Sequence, residues 1–489
     1  MIDSRLIQTL KTLTKDEFKQ FEKFVASPFF NNGRNYLPFL KELKKNYPGF
    51  ENKNDSLQPE NIYKKIYPGR NFDKQVMWNM VSQLEKLAME FLLHIALKGN
   101  MTQRYILIFD ELSKRHLDKE IFKEIEKTDK YISNLKFGQE YFYLKFIAEN
   151  SRAEYWRAIQ GRRHKGVEAR VKTTEYLLLN IMVYLSLSAS GLKINFLYNA
   201  GNETKNAIEL VKSLDLKNLV DVAKKNNHIH APVMMFYYNK IMCALEEKEE
   251  SYFFEMKKFF EENYNIFDRQ EQSEIITTLA NYCTFKTRQG NDKFLKIHFE
   301  ISKFRLEKEI GACVNGRISK VLYNQILRNA LSLGEIKWTE NFVKEYTPML
   351  KRELQKTMNS MAWGYIHHVE KNYVESLQCL NEVEFIDLRD KLLVRILTAQ
   401  AYYDLNNTEL LFYYIDSSKH FIGNNTVIES NTKEAYMKFF NFLNKLLTCK
   451  ENPEQNKIKE LREDLHFDQI LWYEHKKWLL EKIDELFIK

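Results

Sequence analysis

Residues 321–346 read VLYNQILRNALSLGEIKWTENFVKEY, and their pattern of helix, tight polar turn and helix recurs twice more before Ile422. The three turns fall at Gly334-Glu335, Lys371-Asn372 and Asn406-Asn407, 37 and 35 residues apart. This spacing is typical of stacked helical hairpins, in which each hairpin buries its apolar face against the next. The stretch therefore predicts an all-α fold, a right-handed α-solenoid of helical hairpins.

The composition of the whole chain agrees with helix throughout. With 489 residues the chain is too long for one compact core, so we expect several domains or a solenoid. Only 15 Gly and 8 Pro occur, and the segments 70–229 and 234–346 contain no proline. β-rich folds need turn residues every 8 to 12 positions, so this scarcity argues against them.

The distribution of breakers and turns predicts four segments. Residues 1–100 hold five of the eight prolines and should form a helical N-terminal domain, with a capping box at Thr14 and Glu17. Residues 101–320 contain irregularly spaced turns and should form divergent helical hairpins. Residues 321–448 carry the regular pattern, and residues 449–489 should supply C-terminal helices that cap the end of the stack.

Charge, cysteine usage and hydropathy place the chain in the cytoplasm. The formal net charge of +8 is low for a dedicated nucleic-acid binder of this length, and five cysteines lie 30 or more residues apart without a C-x-x-C pair. Residues 1–10 include charged Asp3 and Arg5, so we expect no signal peptide. Residues 176–192 carry no charge, but their Asn, Ser and Gly content favours a buried helix over a membrane span.

The middle hairpin resembles a tetratricopeptide repeat. The residues that carry the resemblance are Trp363-Gly364, Lys371-Asn372-Tyr373, Ser376, Leu380 and Val383. The flanking units match more loosely, since only Gly334 keeps the turn glycine and Thr339, Ser376 and Leu411 stand where alanine is usual. With Ser27-Pro28-Phe29-Phe30-Asn31 near its start, the chain as a whole also looks like helical proteins of unknown function from Bacteroidota.

The resemblance implies a binding surface on the first helix of each hairpin, where side chains outside the packing stripe face a groove. With the helices in the register that the resemblance implies, the inner-face residues are Asn324, Arg328, Tyr365, His368, Gln400 and Tyr403. Amide, guanidinium and aromatic groups suit a protein or peptide partner, including a terminal carboxylate. A solvated face with no ligand explains the same residues and remains open.

A basic cluster offers a second candidate surface. Its members are Arg152, Arg157, Arg162, Arg163, Lys165, Arg170 and Lys172, opposed within 152–172 only by Glu154 and Glu168. Such a cluster could hold the phosphates of a nucleic acid, although a solvated turn between two helices explains it equally well.

The N-terminal domain could contain a helix-turn-helix that presents Lys74, Gln75, Asn79 and Gln83 to a DNA groove. Any pair of helices with one polar face gives the same pattern. These two surfaces support the alternative function, a nucleic-acid-associated regulator.

Motifs of catalysis are missing from the sequence. It contains no H-E-x-x-H, no phosphate-binding glycine loop and no G-x-S-x-G elbow, so we expect no enzyme, no cofactor and no metal. The favoured function is a non-enzymatic protein–protein interaction scaffold. The sequence leaves the partner and the oligomeric state open.

Overall fold

A computed structural model describes residues 4–51, 55–158, 163–198, 202–246, 248–314, 316–384, 387–428, 430–468, 470–471 and 473–487. The structure is about 81% helical. Within these ranges the only strands are β1 (Cys313–Val314) and β2 (Arg317–Ile318), which pair antiparallel. The predicted all-α class is confirmed.

The chain forms two compact units, one comprising Met1–Tyr131 with Ile147–Arg170 and the other Ile132–Phe146 with Val171–Lys489. The segment boundaries predicted at residues 100, 320 and 448 rest on the spacing of turns in the sequence, whereas the two units are defined by their compactness. The predicted boundaries therefore stay predictions. The first unit contains α1 (Arg5–Thr12), α2 (Lys15–Ala26), α3 (Pro28–Asn31), α4 (Leu37–Lys44), α5 (Pro59–Ile66), α6 (Lys74–Gly99), α7 (Met101–Lys114) and all of α8 (Asp118–Ile132) except its last residue. Helices α9 (Gln139–Ala158) and α10 (Arg163–Tyr198) contribute residues to both units.

The start of α2 is specified locally, as the sequence predicts. The Glu17 amide donates to Thr14 Oγ1 at 3.2 Å, and the Thr14 amide donates to Glu17 Oε2 at 2.7 Å. Leu13 and Phe18 on either side of the cap are both buried. The capping box therefore satisfies two backbone donors at the start of the helix.

The second unit continues with α11 (Asn202–Lys212), α12 (Leu216–Lys225), α13 (Ala231–Leu245), α14 (Ser251–Asn263), α15 (Arg269–Arg288), α16 (Lys293–Glu307), α17 (Lys320–Ser332), α18 (Ile336–Tyr346), α19 (Arg352–Val369), α20 (Tyr373–Asn381), α21 (Leu388–Asp404), α22 (Thr408–Asn424), α23 (Ser430–Glu451), α24 (Gln455–Phe467) and α25 (Tyr473–Phe487). From α15 to α24, each helix packs against its neighbour in the chain, and α19 also contacts α17 and α21.

The three predicted turns share one geometry. Gly334, Lys371 and Asn406 each adopt a left-handed backbone, with φ of 74°, 65° and 57°. The next residue's amide then donates back to the carbonyl five residues earlier, at 3.0 Å from Glu335, 2.8 Å from Asn372 and 3.0 Å from Asn407. These bonds define a Schellman C-cap, which satisfies the last carbonyls of the first helix. The predicted positions of the turns are confirmed.

Helices α19 and α20 approach closely at Gly364. A methyl group on Gly364 would lie 2.9 Å from the Leu380 side chain and 3.4 Å from Cys379 Cβ. Ser376 donates its hydroxyl to the Gly364 carbonyl at 2.7 Å. The serine is therefore accommodated because its hydroxyl is satisfied inside this contact.

Gly364→Leu should lower the free energy of unfolding by about 1 to 3 kcal/mol, because the added side chain overpacks the α19–α20 contact. Gly423→Leu is the matched control, since no heavy atom lies within 4 Å of a methyl group built at Gly423 in α22. Thermal melts followed by circular dichroism would compare the two. Equal melting temperatures would contradict the proposed role of Gly364.

One helical segment in the described residues, Arg163–Leu192 of α10, is long and apolar enough to cross a membrane by length and composition alone. Its most apolar 18-residue window has a mean hydropathy of 1.3 and is 33% buried within the protein. Leu179, Met182 and Val183 lie in that helix and pack into the core of the second unit.

Candidate functional site

The structure places the predicted inner-face residues on three successive first helices. Asn324 and Arg328 lie on α17, Tyr365 and His368 on α19, and Gln400 and Tyr403 on α21. His368, Gln400 and Tyr403 are buried, and the other three are half-buried. These side chains therefore contact protein and do not line an open, fully solvated face.

Two of the six residues, Arg328 and Tyr403, contact α25, the helix that the sequence predicts as part of an end cap. The Arg328 guanidinium donates from Nη2 to Glu474 Oε2 at 2.7 Å, across 146 residues of sequence. The charge of Arg328 holds the pKa of Glu474 below its usual value, and Glu474 in turn raises the pKa of Arg328. The side chains nevertheless remain 33% and 45% exposed, so water reaches the pair.

The middle of α25 lies against α21. The rings of Trp478 and Tyr403 are 5.6 Å apart at an interplanar angle of 76°, an edge-to-face contact. From α23, the Lys450 ammonium lies 4.0 Å from the centre of the Tyr403 ring and donates to the Tyr403 carbonyl at 3.0 Å. Burial raises the pKa of Tyr403, so the phenol is neutral at physiological pH.

The C-terminal part of α25 reaches the end of α21. Lys482 Nζ lies 2.6 Å from Asp404 Oδ1 and 3.0 Å from Glu485 Oε1. Burial lowers the pKa of Lys482, but these two hydrogen bonds outweigh burial and leave the pKa above its ordinary value. Nearby, burial lowers the pKa of His368 to about 4, although Asp404 opposes the shift. His368 is therefore neutral at pH 7.

Three atoms of the inner-face residues are buried without a hydrogen-bond partner among the described residues. They are Asn324 Oδ1, Arg328 Nε and His368 Nδ1. A buried polar atom that lacks a partner costs about 1 to 3 kcal/mol. The inner face thus retains hydrogen-bonding capacity that α25 does not use.

Sequence reasoning missed the three α25 residues that meet the inner face, Glu474, Trp478 and Lys482. Their spacing of four residues places them along one side of the helix, and this spacing was the available signal. Nothing in the local sequence indicates that this side faces α17 and α21, because an amphipathic helix has the same pattern wherever it packs.

Of the predicted basic cluster, Arg152 is neutralised most completely. Its guanidinium pairs with Asp129 of α8 and with Glu149 one turn earlier on α9. The Arg152 side chain is only 20% exposed. Its charge therefore links α8 to α9 through ion pairs, and little of the side chain is left accessible to bind a phosphate group.

Other members of the cluster also have partners within the first unit. Arg157 and Arg170 both pair with Glu154, at 2.6 Å and 2.5 Å. The Lys165 ammonium lies 4.9 Å from the centre of the Trp156 ring, within the range of a cation–π contact. Arg163 and Lys172 are exposed, and Arg162 lies outside the described residues.

In the N-terminal part of the chain, Lys74, Gln75 and Asn79 of α6 are exposed and Gln83 is half-buried. Gln75 Nε2 donates to Asn79 Oδ1 at 3.0 Å. Such a polar, solvent-facing side is equally typical of a surface helix with no ligand.

Among the described residues, no group of three or more His, Cys, Asp or Glu side chains is arranged to hold a metal ion. The absence of a cofactor stays a prediction from the sequence. Comparisons of this chain with models of protein families, with curated proteins and with solved structures gave no match.

Proposed function

We propose that this chain is a cytoplasmic, non-enzymatic scaffold that binds a partner protein or peptide on the inner face of a helical repeat array. In this proposal residues 321–448 form tetratricopeptide-like hairpins, which continue the divergent hairpins of residues 101–320 in a right-handed solenoid. The identical Schellman turns after α17, α19 and α21 support a repeating unit, because each hairpin then changes direction in the same way.

The observation that carries the proposal is the position of α25 against α17 and α21. An amphipathic helix already packs here through an ion pair at Arg328, a ring contact at Tyr403 and a second ion pair at Asp404. Aromatic and guanidinium side chains are the types that usually dominate interface energies. A face that holds one helix by such contacts is suited to a helical or extended partner.

The alternative, a nucleic-acid-associated regulator, lacks a comparable observation. Arg152, Arg157 and Arg170 already pair with carboxylates, and a phosphate contact would have to break these pairs. These ion pairs therefore favour the scaffold over the nucleic-acid-associated regulator.

Arg328→Ala with Tyr365→Ala should abolish capture of the partner when the purified chain is used as bait in its native cytoplasm. Hydrogen exchange of the wild-type complex should show protection in α17, α19 and α21 relative to the free chain. Arg163→Ala with Lys172→Ala is the control, because both side chains are exposed and belong to α10 and not to these helices.

A melting temperature for each variant separates loss of binding from loss of folding. Retention of the partner by the inner-face variant, together with its loss from the control variant or from wild type at high salt, would contradict the scaffold proposal. That outcome would favour binding to nucleic acid, whose affinity falls steeply as salt rises.

A further inference from the structure

The contacts of α25 form a regular series along one side of the helix. Glu474 meets Arg328, Trp478 meets Tyr403 and Lys482 meets Asp404. Successive members are four residues apart, which in an α-helix places them one turn apart on the same side. The series is thus carboxylate, aromatic ring and ammonium, each opposed by a complementary group.

The apolar side of the same helix is used differently. Leu479 and Ile483 are 0% and 1% exposed and belong to the core formed with α23 and α24. Trp478 also packs against this core, and Tyr403 is one of its buried members, whereas Glu474 and Lys482 make charged contacts with Arg328 and Asp404. Changes at Glu474 and Lys482 therefore remove charged contacts and no apolar side chain of that core.

The fit of α25 to the inner face is incomplete. Asn324 Oδ1, Arg328 Nε and His368 Nδ1 lack hydrogen-bond partners among the described residues, and His368 is only 9% exposed. Arg328 Nε belongs to the guanidinium that pairs with Glu474, so a helix with the same series and an additional acceptor beside that carboxylate would satisfy this atom. It would then bind more favourably than α25 does, because unsatisfied buried groups are costly.

We propose that the ligand of the inner face is an amphipathic helix with a carboxylate, an aromatic ring and an ammonium at successive fourth positions, and that it competes with α25. This inference rests on the proposed function and adds the chemistry of the partner. Glu474 and Arg328 are both partly exposed, so an incoming helix can reach the pair. The incoming helix can bind only those chains in which the polar side of α25 has left the inner face. Variants that weaken the contacts of α25 with that face should therefore increase the apparent affinity for the incoming helix.

The test uses a fluorescent peptide with the sequence of residues 473–487 as the probe, since it carries the proposed series. The full-length chain with Glu474→Arg should bind this peptide at least tenfold more tightly than the wild-type chain, because the introduced guanidinium repels Arg328 and loosens the chain's own helix. A peptide carrying Glu474→Arg should not bind this variant. The full-length Arg328→Glu chain should reverse the preference and select the reversed peptide. Fluorescence anisotropy at low salt measures all six combinations of the three chains and the two peptides.

Lys482→Glu is the second opening variant, because it places a carboxylate against Asp404 at the other end of the series. This variant should also increase the affinity of the chain for the peptide. It replaces Glu474→Arg in the experiment if circular dichroism shows that the Glu474→Arg chain is unfolded. Equal binding of both peptides to every folded chain, or no gain in affinity from either opening variant, would overturn the inference.

The peptide experiment and the partner-capture experiment test the two proposals separately. A captured partner that protects α17 to α21, combined with peptides that are not discriminated, would leave the scaffold in place and refute the helical series. Discriminated peptides without any partner protecting the inner face would refute the scaffold instead.

Discussion

Replacement of Lys240 by methionine should lower the free energy of unfolding by about 3 to 5 kcal/mol, the usual cost of leaving one half of a buried ion pair. Lys240 Nζ lies 2.8 Å from Glu271 Oε1, and the two side chains are 0% and 3% exposed. Burial raises the pKa of Glu271, while the Lys240 charge opposes this shift. Without the ammonium, the Glu271 carboxylate must take up a proton or remain charged in an apolar core.

Urea unfolding followed by circular dichroism measures this loss. Lys240→Met with Glu271→Met should recover most of the stability, because two apolar side chains of similar volume leave no uncompensated charge. Arg462→Met is the matched control for an exposed pair, since Arg462 and Asp484 are 48% and 50% exposed, and it should leave the stability nearly unchanged because water screens such a pair. Equal effects of Lys240→Met and Arg462→Met would show that the buried pair is not formed.

Acidification from pH 6.5 to pH 5 should destabilise the protein by roughly 2 kcal/mol for each of three buried histidines. Burial lowers the pKa of His298, His368 and His475 to about 4. In the unfolded chain these rings protonate near pH 6.5, so the unfolded state binds more protons between pH 6.5 and pH 4. The loss of stability is therefore absent well above pH 6.5 and grows as the pH falls from 6.5 towards 4.

Unfolding free energies at several pH values test this expectation. The His368→Gln variant should show a shallower decline than wild type, because it removes one titrating ring. His420→Gln is the control, since its side chain is 73% exposed, and it should leave the slope unchanged. An unfolding free energy that stays constant from pH 7 to pH 5 would contradict the prediction.

The sequence by itself determined the local structure of this protein. The Thr14 capping box, the turns at Gly334, Lys371 and Asn406 and the close contact at Gly364 were all predictable. In the cap and the turns, the deciding hydrogen bonds join residues three to five apart in sequence. At Gly364, the matching apolar spacing on two adjacent helices was sufficient, because a short turn makes them neighbours.

Only the tertiary structure decided what the candidate site contacts. The Arg328–Glu474 pair joins residues 146 apart, and the Arg152–Asp129 pair neutralises one member of the basic cluster. Both contacts depend on which surfaces face each other after packing, and a charged residue has the same local pattern whether it meets solvent or an opposite charge. Helix periodicity specifies which side of α25 is polar, whereas the fold alone places that side against α17 and α21.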